Sequence, residues 1–113
     1  MLEGIKEVVI DADCDQKYIV AEVIGGDNKK IVVRGDVWCK YHKDIFSLLK
    51  RELNGIAVGV VCLGGGRINM NSSNKVIRVY DLSGEYGVEP DREQTVRMIK
   101  LAFPDFEVSF SRW

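Results

Sequence analysis

This sequence contains little histidine and little cysteine, and the shortage disfavours the protein classes that depend on them. It has one histidine, His42, and three cysteines, Cys14, Cys39 and Cys62, in 113 residues. Cys39 and His42 have the spacing of metal ligands, but two further convincing ligands of a four-ligand zinc site are absent. The cysteines are odd in number and widely spaced, which indicates reduced thiols in an intracellular chain rather than a disulfide framework.

An excess of charge and a long apolar run are also missing. The formal net charge is −1 at pH 7, whereas nucleic-acid-binding proteins are usually strongly basic. No apolar run approaches the roughly 18 residues that a membrane-spanning helix needs, and Met1 to Glu7 shows no signal-peptide pattern. We therefore expect a cytoplasmic protein without nucleic-acid or membrane partners, and we expect it to be a monomer.

What the sequence does contain is typical of one globular domain. Hydrophobic residues make up 46% of the chain and charged residues 29%, which are ordinary proportions for such a domain. A chain of this length buries roughly 65% of its extended surface when it folds. We therefore expect residues 1–113 to form a single domain.

Runs of β-branched and aromatic residues, separated by turn residues, predict the strands. They are predicted at residues 5–10, 17–24, 30–34, 56–62, 67–70, 75–80 and 106–110. A helix is predicted from Asp36, or from about Tyr41, to Leu53. A second helix follows the capping residue Asp91 and ends at Pro104. The apolar stripes of the two helices are Tyr41, Ile45, Leu48, Leu49 and Leu53, and Val96, Ile99, Ala102 and Phe103.

The order of these elements indicates the fold class. A strand–strand–helix–strand order occurs in residues 17–62 and again in residues 66–110, which suggests a pseudo-repeat. We predict an α+β domain with one mixed β-sheet of about six strands, shared by both halves, and two main helices packed on it. In each half a loop, residues 35–41 or 81–89, leads to the helix. Loops on a rigid sheet commonly carry functional sites, and we expect these two to converge.

His42 lies where a predicted strand gives way to a predicted helix, with Arg34, Lys40 and Lys43 nearby in sequence. The start of a helix presents unpaired N–H groups and a partial positive charge, which suit an anion. The same field disfavours imidazolium, so we expect a neutral ring with a free lone pair. Such a ring beside an anion site can support phosphoryl transfer without a metal. The alternative is that His42 is simply a partly exposed helix residue.

Two other motifs resemble binding loops without completing them. Residues 11–15 place carboxylates at alternate positions, as a calcium loop does, but Gln16 stands where that loop needs glycine. Residues 64–66, Gly-Gly-Gly, match neither a P-loop nor a dinucleotide-binding pattern. We interpret these glycines as a tight hairpin turn. Cys62 lies in the most apolar run, where a thiol is usually inert.

Several segments, taken together and in order, resemble the 14 kDa phosphohistidine phosphatases of the Janus/Ocnus family. The likeness extends from about Ile10 to Phe110. The matching segments are Ile10-Asp11 with Asp13 and Lys17-Tyr18; Ile31-Val32, Arg34-Gly35, Trp38, Tyr41-His42 and Asp44-Ile45; Cys62-Leu63-Gly64-Gly65-Gly66-Arg67-Ile68; Lys75, Ile77 and Val79-Tyr80; Ser83 and Tyr86-Gly87; and Phe103-Pro104-Asp105-Phe106-Glu107-Val108.

The resemblance implies a phosphatase that acts on phosphohistidine in proteins without a metal or other cofactor. It places His42 in the catalytic position. It places these residues around the substrate: Lys17, Arg34, Tyr41, Lys43, Arg67, Ser83, Gly84 and Glu85. Phosphohistidine-containing proteins are then the expected partners. His42 acts either as a base towards water or as the acceptor of the phosphoryl group, and the sequence leaves both open.

Two residues depart from the family pattern at the expected site. Lys43 replaces a small residue and adds positive charge at the helix start. Glu85 replaces a small apolar residue in the phosphate loop. If the Glu85 side chain points inward, its charge repels phosphate; if only its backbone N–H faces the site, little changes. These departures leave open one alternative to an enzyme, a non-catalytic phosphopeptide-binding module of the same family. A plain interaction domain is a further alternative.

Overall fold

The structure is a computed structural model, and it describes residues 2–111. A 3₁₀-helix at Leu2–Gly4 precedes strands β1 (Val8–Val9), β2 (Asp15–Gly25) and β3 (Asn28–Asp36), helix α1 (His42–Glu52), strands β4 (Gly59–Asn71) and β5 (Val76–Tyr80), helix α2 (Arg92–Ala102) and strand β6 (Glu107–Phe110). Neither α1 nor α2, at 11 residues each, is long enough to cross a membrane, and residues 2–111 contain no other α-helix.

The six strands form one sheet in the order β1-β3-β2-β4-β5-β6. The hairpin pairs β2–β3 and β4–β5 and the central pair β2–β4 are antiparallel. The edge strands β1 and β6 pair parallel with β3 and β5. The sheet is therefore mixed, and the predicted α+β domain with about six strands and two helices is confirmed.

The two helices cover opposite faces of the sheet. Along β2, Tyr18 and Val20 join a core that contains Ile99 of α2. The intervening residue Ile19 joins a second core with Ile45 of α1. Successive side chains of a strand point to opposite faces. A central strand that is buried on both sides thus fixes one helix on each face, and α1 marks the face that carries the candidate site.

Helix α1 begins at His42, the later of the two predicted starts. The Asp44 carboxylate accepts a hydrogen bond from the N–H of Tyr41 at 3.1 Å, which satisfies a donor at the N-cap. Of the predicted apolar stripe, Ile45, Leu49 and Leu53 are buried, but Tyr41 and Leu48 are exposed. The buried face of α1 is therefore narrower than the sequence pattern predicted.

The hairpin predicted at Gly64–Gly66 is wrong, because these glycines lie inside the 13-residue strand β4. Val20 pairs with Gly64 and Ala21 with Cys62, so one residue of β4 bulges out of register. A Cβ atom at Gly65 would lie 2.1 Å from the carbonyl oxygen of Tyr18. The glycines thus allow β4 to pack closely against its neighbours.

The two halves of the predicted pseudo-repeat share β4, so the strand that ends the first half also begins the second.

The predicted start of α2 is confirmed. Asp91 is the N-cap, and its carboxylate accepts a hydrogen bond from the N–H of Gln94 at 3.1 Å. The buried residues of α2 include Thr95 and Ile99, whereas Ala102, which was predicted to be buried, is exposed. The helix ends at this residue, two positions before the proline that was expected to stop it.

Candidate active site

The loops before α1 and after β5 converge on one open cavity of about 540 Å³, on the α1 side of the sheet. It is lined by Lys17, Tyr41, His42, Lys43, Arg67, Asp81, Leu82, Gly84 and Glu85. The structure thus brings together seven of the nine residues that the resemblance placed at the site. Asp81 and Leu82 were not anticipated.

His42 is buried, with 4% of its surface exposed, so the interpretation as a partly exposed helix residue is wrong. Its Nε2 lies 2.9 Å from the carbonyl oxygen of Gly66. Because a carbonyl oxygen only accepts hydrogen bonds, Nε2 is the donor. In the neutral ring, Nδ1 then carries the lone pair. The fold therefore selects the tautomer of the neutral ring, in which Nδ1, on the other side of the ring, carries the lone pair.

Two cations flank this histidine from adjacent strands. Lys17 of β2 pairs directly with Arg67 of β4, so both side chains lie on the same face of the sheet. Arg67 donates from Nε to Asp15 at 3.2 Å, and Asp15 also accepts a hydrogen bond from the hydroxyl of Tyr80. Nε is the innermost guanidinium nitrogen. Asp15 therefore holds Arg67 through Nε, and the terminal guanidinium nitrogens are groups that suit an anion.

The electrostatic environment raises the pKa values of Arg67 and Tyr80. Burial works against the charged form of Arg67, but its interactions with the Asp15 carboxylate and the Tyr80 hydroxyl outweigh it and raise the guanidinium pKa. Burial, followed by the Asp15 carboxylate, raises the pKa of the Tyr80 hydroxyl. Arg67 is thus a permanent positive charge and Tyr80 a neutral donor at physiological pH.

The start of α1 adds further positive character on the open side of the cavity. Lys43 lines the cavity, and its Nζ lies 5.4 Å from the ring centre of Tyr41. Lys40, just outside, lies 5.5 Å from the same ring. An ammonium group over an aromatic face is held by the ring quadrupole. Tyr41 therefore positions two lysines near the helix terminus, where an anion is favoured.

Ser83 shapes the loop between β5 and α2 and does not line the cavity. It is buried, and its hydroxyl oxygen accepts hydrogen bonds from the N–H groups of Glu85 at 3.2 Å and Tyr86 at 3.1 Å. Two backbone hydrogen bonds join Ser83 to Gly87, whose carbonyl oxygen also accepts from the N–H of Gly65. Ser83 thereby fixes the loop to β4 and holds Gly84 and Glu85 against the cavity.

The side chain of Glu85 points into the cavity. Its Oε1 lies 3.8 Å from Nδ1 of His42, and 32% of the side chain is exposed. Its N–H is already engaged by Ser83. Of the two orientations that the sequence left open, the inward carboxylate is therefore the one observed.

Arg34, like Ser83, is a predicted site residue that does not line the cavity. Its guanidinium forms a bidentate ion pair with Glu52, from Nε at 3.0 Å and from Nη2 at 2.9 Å, and Nη1 donates to the carbonyl oxygen of Val33 at 3.0 Å. Glu52 is the last residue of α1, at the end opposite His42. Arg34 therefore anchors the far end of the helix to β3, because Nε and Nη2 bind Glu52 and Nη1 binds Val33.

A buried polar network behind the cavity was not anticipated. The Glu89 carboxylate accepts hydrogen bonds from the hydroxyl of Tyr18 at 2.6 Å, from Thr95 at 2.8 Å and from Arg92 at 3.0 Å. Burial and then the charge of Glu89 raise the pKa of Tyr18 far above its usual value. Arg92 also donates to the carbonyl oxygen of Gly65. The network links α2 to the strand that supports His42, and no local sequence pattern marks it.

Within residues 2–111, no group of three or more His, Cys, Asp or Glu side chains lies close enough together to hold a metal ion.

Comparison with known proteins identifies the relatives of this chain. The model of the Janus/Ocnus family matches residues 2–107. The sex-regulated protein janus-A of Drosophila simulans is 35% identical over 111 residues, which cover 97% of this chain and 82% of that protein. The 14 kDa phosphohistidine phosphatase of Sus scrofa is 35% identical over 118 residues, which cover 97% of this chain and 92% of that protein. The protein of that name in Homo sapiens is 34% identical over 114 residues, which cover 95% of this chain and 90% of that protein.

Proposed function

The chain belongs to the Janus/Ocnus family, and we propose that it is a phosphatase that hydrolyses the P–N bond of phosphohistidine in proteins without a metal. The observation that supports this most strongly is the tautomer of His42. Its Nε2 is bound to the carbonyl oxygen of Gly66, which directs the lone pair of Nδ1 to the cavity. Relatives named 14 kDa phosphohistidine phosphatase at about one-third identity also support it.

The cavity supplies the charge that a phosphoryl group needs. Lys17 and Arg67 bind its nonbridging oxygens from the sheet, and the N–H groups at the start of α1 bind it from the helix. Lys43 and Gly84 complete the lining on the open side. Because the P–N bond is already activated, positioning and charge neutralisation are the main demands on the protein.

Nδ1 of His42 acts on phosphorus by one of two routes. As a base, it takes a proton from water while the new P–O bond forms. As a nucleophile, it forms its own P–N bond, which water then cleaves. In both routes the electron pair of the substrate's P–N bond stays with the departing nitrogen. In both, the ring becomes more positive, and the Gly66 carbonyl stabilises its Nε2–H group.

The direct test is phosphate release from phosphohistidine and phosphotyrosine peptides, measured side by side with and without EDTA. The proposal predicts release from phosphohistidine, little from phosphotyrosine, and no effect of the chelator. Absence of release from phosphohistidine under all conditions would contradict it.

We also propose that the protein is a monomer in the cytoplasm and that its partners are phosphohistidine-containing proteins.

A second candidate function is a phosphopeptide-binding module that does no chemistry. One observation favours it: the Glu85 carboxylate lies 3.8 Å from Nδ1 and faces the cavity. A negative charge there opposes the binding of a phosphate dianion. Saturable binding of a phosphohistidine peptide without phosphate release would support this alternative.

A further inference from the structure

Arg67 belongs to a row of polar side chains on the α1 face of the sheet. Lys17, Arg67 and Tyr80 are directly paired across β2, β4 and β5, so their side chains lie next to one another. Asp15, two residues before Lys17 on β2, lies on the same face. One oxygen of the Asp15 carboxylate accepts a hydrogen bond from Nε of Arg67 at 3.2 Å, and the other accepts one from the Tyr80 hydroxyl. Asp15 thus joins β2 to side chains of β4 and β5.

The Arg67 side chain contacts Asp15 and also reaches the cavity. Arg67 is among the residues that line the cavity, whereas Asp15 is not. A guanidinium group has five N–H donors, and the bond to Asp15 uses the one on Nε. The terminal nitrogens carry the other four, which suit phosphate oxygens. Asp15 therefore binds Arg67 at a group other than those best suited to the ligand.

The Asp15–Arg67 ion pair contributes little to the stability of the fold. The Asp15 side chain is 39% exposed and that of Arg67 35%, and water screens pairs of this exposure. Binding is affected differently, because a flexible arginine loses rotational freedom when it binds an anion, and this loss weakens binding. Contacts that already fix the side chain remove that cost before the ligand arrives.

We propose that Asp15 and Tyr80 are positioning residues, which hold the Arg67 guanidinium in the orientation that binds the phosphoryl group of the substrate. Asp15 acts on Arg67 directly, and the Tyr80 hydroxyl fixes the second oxygen of the Asp15 carboxylate. Neither residue needs to touch the ligand. The inference rests on the proposed function, which supplies the phosphoryl group as the ligand of the cavity.

Charge alone predicts the opposite effect for Asp15. The cavity is lined by three cationic side chains, of two lysines and one arginine, and by two carboxylates, those of Asp81 and Glu85. Among residues 2–111, neither carboxylate forms an ion pair with Arg67, and that of Asp81 accepts a hydrogen bond from the N–H of Leu82 at 2.8 Å. Loss of a carboxylate that only repels phosphate strengthens binding, so Asp81→Asn should lower the Kd of phosphate. Loss of a carboxylate that positions Arg67 should raise it.

The test measures the Kd of inorganic phosphate for Asp15→Ala and Asp15→Asn, from the shifts of amide NMR signals at the start of α1. Asp15→Ala removes both contacts, and its Kd should rise about twofold to tenfold, which corresponds to the cost of immobilising one flexible side chain. Asparagine keeps an oxygen for Arg67 and an NH₂ group for the Tyr80 oxygen but lacks the charge. Asp15→Asn should therefore bind phosphate as tightly as the wild type or more tightly.

The same substitution in an Arg67→Ala background shows whether Asp15 acts through the arginine. Asp15→Ala should then no longer raise the Kd, because there is no guanidinium to position. Tyr80→Phe keeps the ring and removes the hydroxyl, so it should raise the Kd only when Arg67 is present. It supplies the same test if Asp15→Ala does not fold.

An Asp15→Ala variant that binds phosphate as tightly as the wild type, or more tightly, overturns the inference. So does a rise in Kd that is the same with and without Arg67, or a loss of binding in Asp15→Asn as large as that in Asp15→Ala.

Phosphate release from a phosphohistidine peptide, measured on the same proteins, tests the proposed function separately. A wild type that binds phosphate but does not hydrolyse the peptide contradicts the proposed function alone, and the Kd ratios still decide whether Asp15 positions Arg67. A wild type that does not bind phosphate contradicts both proposals.

Discussion

Nε2 of His42 lies 2.9 Å from the carbonyl oxygen of Gly66, which joins the start of α1 to the middle of β4. This contact selects the tautomer of the ring and fixes the direction of Nδ1. It depends on β4 lying close to both of its neighbours, because the carbonyl group of Gly66 has to meet the ring at hydrogen-bond distance. The chemistry of the site therefore depends on the packing of a glycine segment as much as on the histidine itself.

Substitution of Gly65 should destabilise the fold. A Cβ atom there would lie 2.1 Å from the Tyr18 carbonyl oxygen, whereas a Cβ at Gly59 of the same strand meets nothing within 4 Å. We expect Gly65→Ala to lower the free energy of unfolding by about 3 kcal/mol or more, because backbone must move. Gly59→Ala should change it by less than about 0.5 kcal/mol. Urea unfolding of the two variants measures the difference, and similar midpoints would contradict the packing role.

The Arg34–Glu52 pair should affect stability and leave turnover unchanged. The hydrogen bond from Arg34 lowers the pKa of the Glu52 carboxyl group below 4.5, so the pair is intact above this pH and is lost as the pH falls through the lowered value. Glu52 is 44% exposed, which limits the effect of Glu52→Gln to about 1 kcal/mol at pH 7.

The measurement for this pair is the free energy of unfolding of the wild type and Glu52→Gln between pH 3 and pH 7. We expect the difference between the two proteins to shrink below about pH 4.5. The kcat/KM for phosphohistidine should be the same for both at pH 7. A large loss of turnover with unchanged stability would instead place Arg34 and Glu52 at the substrate.

Removal of Lys17 should weaken phosphate binding. Its ammonium group lines the cavity next to Arg67, so Lys17→Ala is expected to raise the KM for phosphohistidine peptides about tenfold, as loss of one charge-assisted contact does. Lys29→Ala, which removes the same charge at an exposed position of β3, is the control. Steady-state kinetics at low and high salt compare the KM values of the two variants. Equal KM values would show that Lys17 is not part of the site.

The thiols should be unreactive in the folded protein. Burial raises the pKa of Cys62 to about 11, and burial followed by the charge of Asp36 raises that of Cys39 to about 11. At pH 8 the thiolate fraction is then about one in a thousand, roughly a hundredfold below that of a free cysteine. Alkylation by iodoacetamide, followed by mass spectrometry, should be correspondingly slower than in urea. Equal alkylation rates in the folded and urea-unfolded states would instead indicate a reactive thiol that could act as a nucleophile.

Much of this fold could be predicted from local patterns. The runs of β-branched and aromatic residues in β2 and β3 and the cap at Asp91 are local signals, and the structure confirms the two strands and the cap. The glycines of β4 were misinterpreted because a run of glycines has turn chemistry when it is considered alone. Their actual role, close packing against Tyr18, exists only after β2 and β4 have paired.

The site shows the same division between local and long-range information. The resemblance indicated that His42, Lys17 and Arg67 belong together, and the strand register brings the last two into direct pairing. It also placed Arg34 there, but no sequence pattern shows that Glu52, 18 residues later, binds its guanidinium. The inward direction of Glu85 likewise depends on the hydroxyl of a buried residue and on a bridge within the loop.

The central claim is that Nδ1 of His42 acts on the phosphorus atom. The most direct test measures phosphate release from a phosphohistidine peptide by the wild type, His42→Ala and His42→Gln, with folding checked by circular dichroism. Glutamine can still donate to the Gly66 carbonyl but has no basic nitrogen, so it separates the structural role from the chemical one. We predict that both variants remain folded and lose at least about a hundredfold in kcat/KM. A folded His42→Gln protein with turnover equal to that of the wild type would contradict the claim.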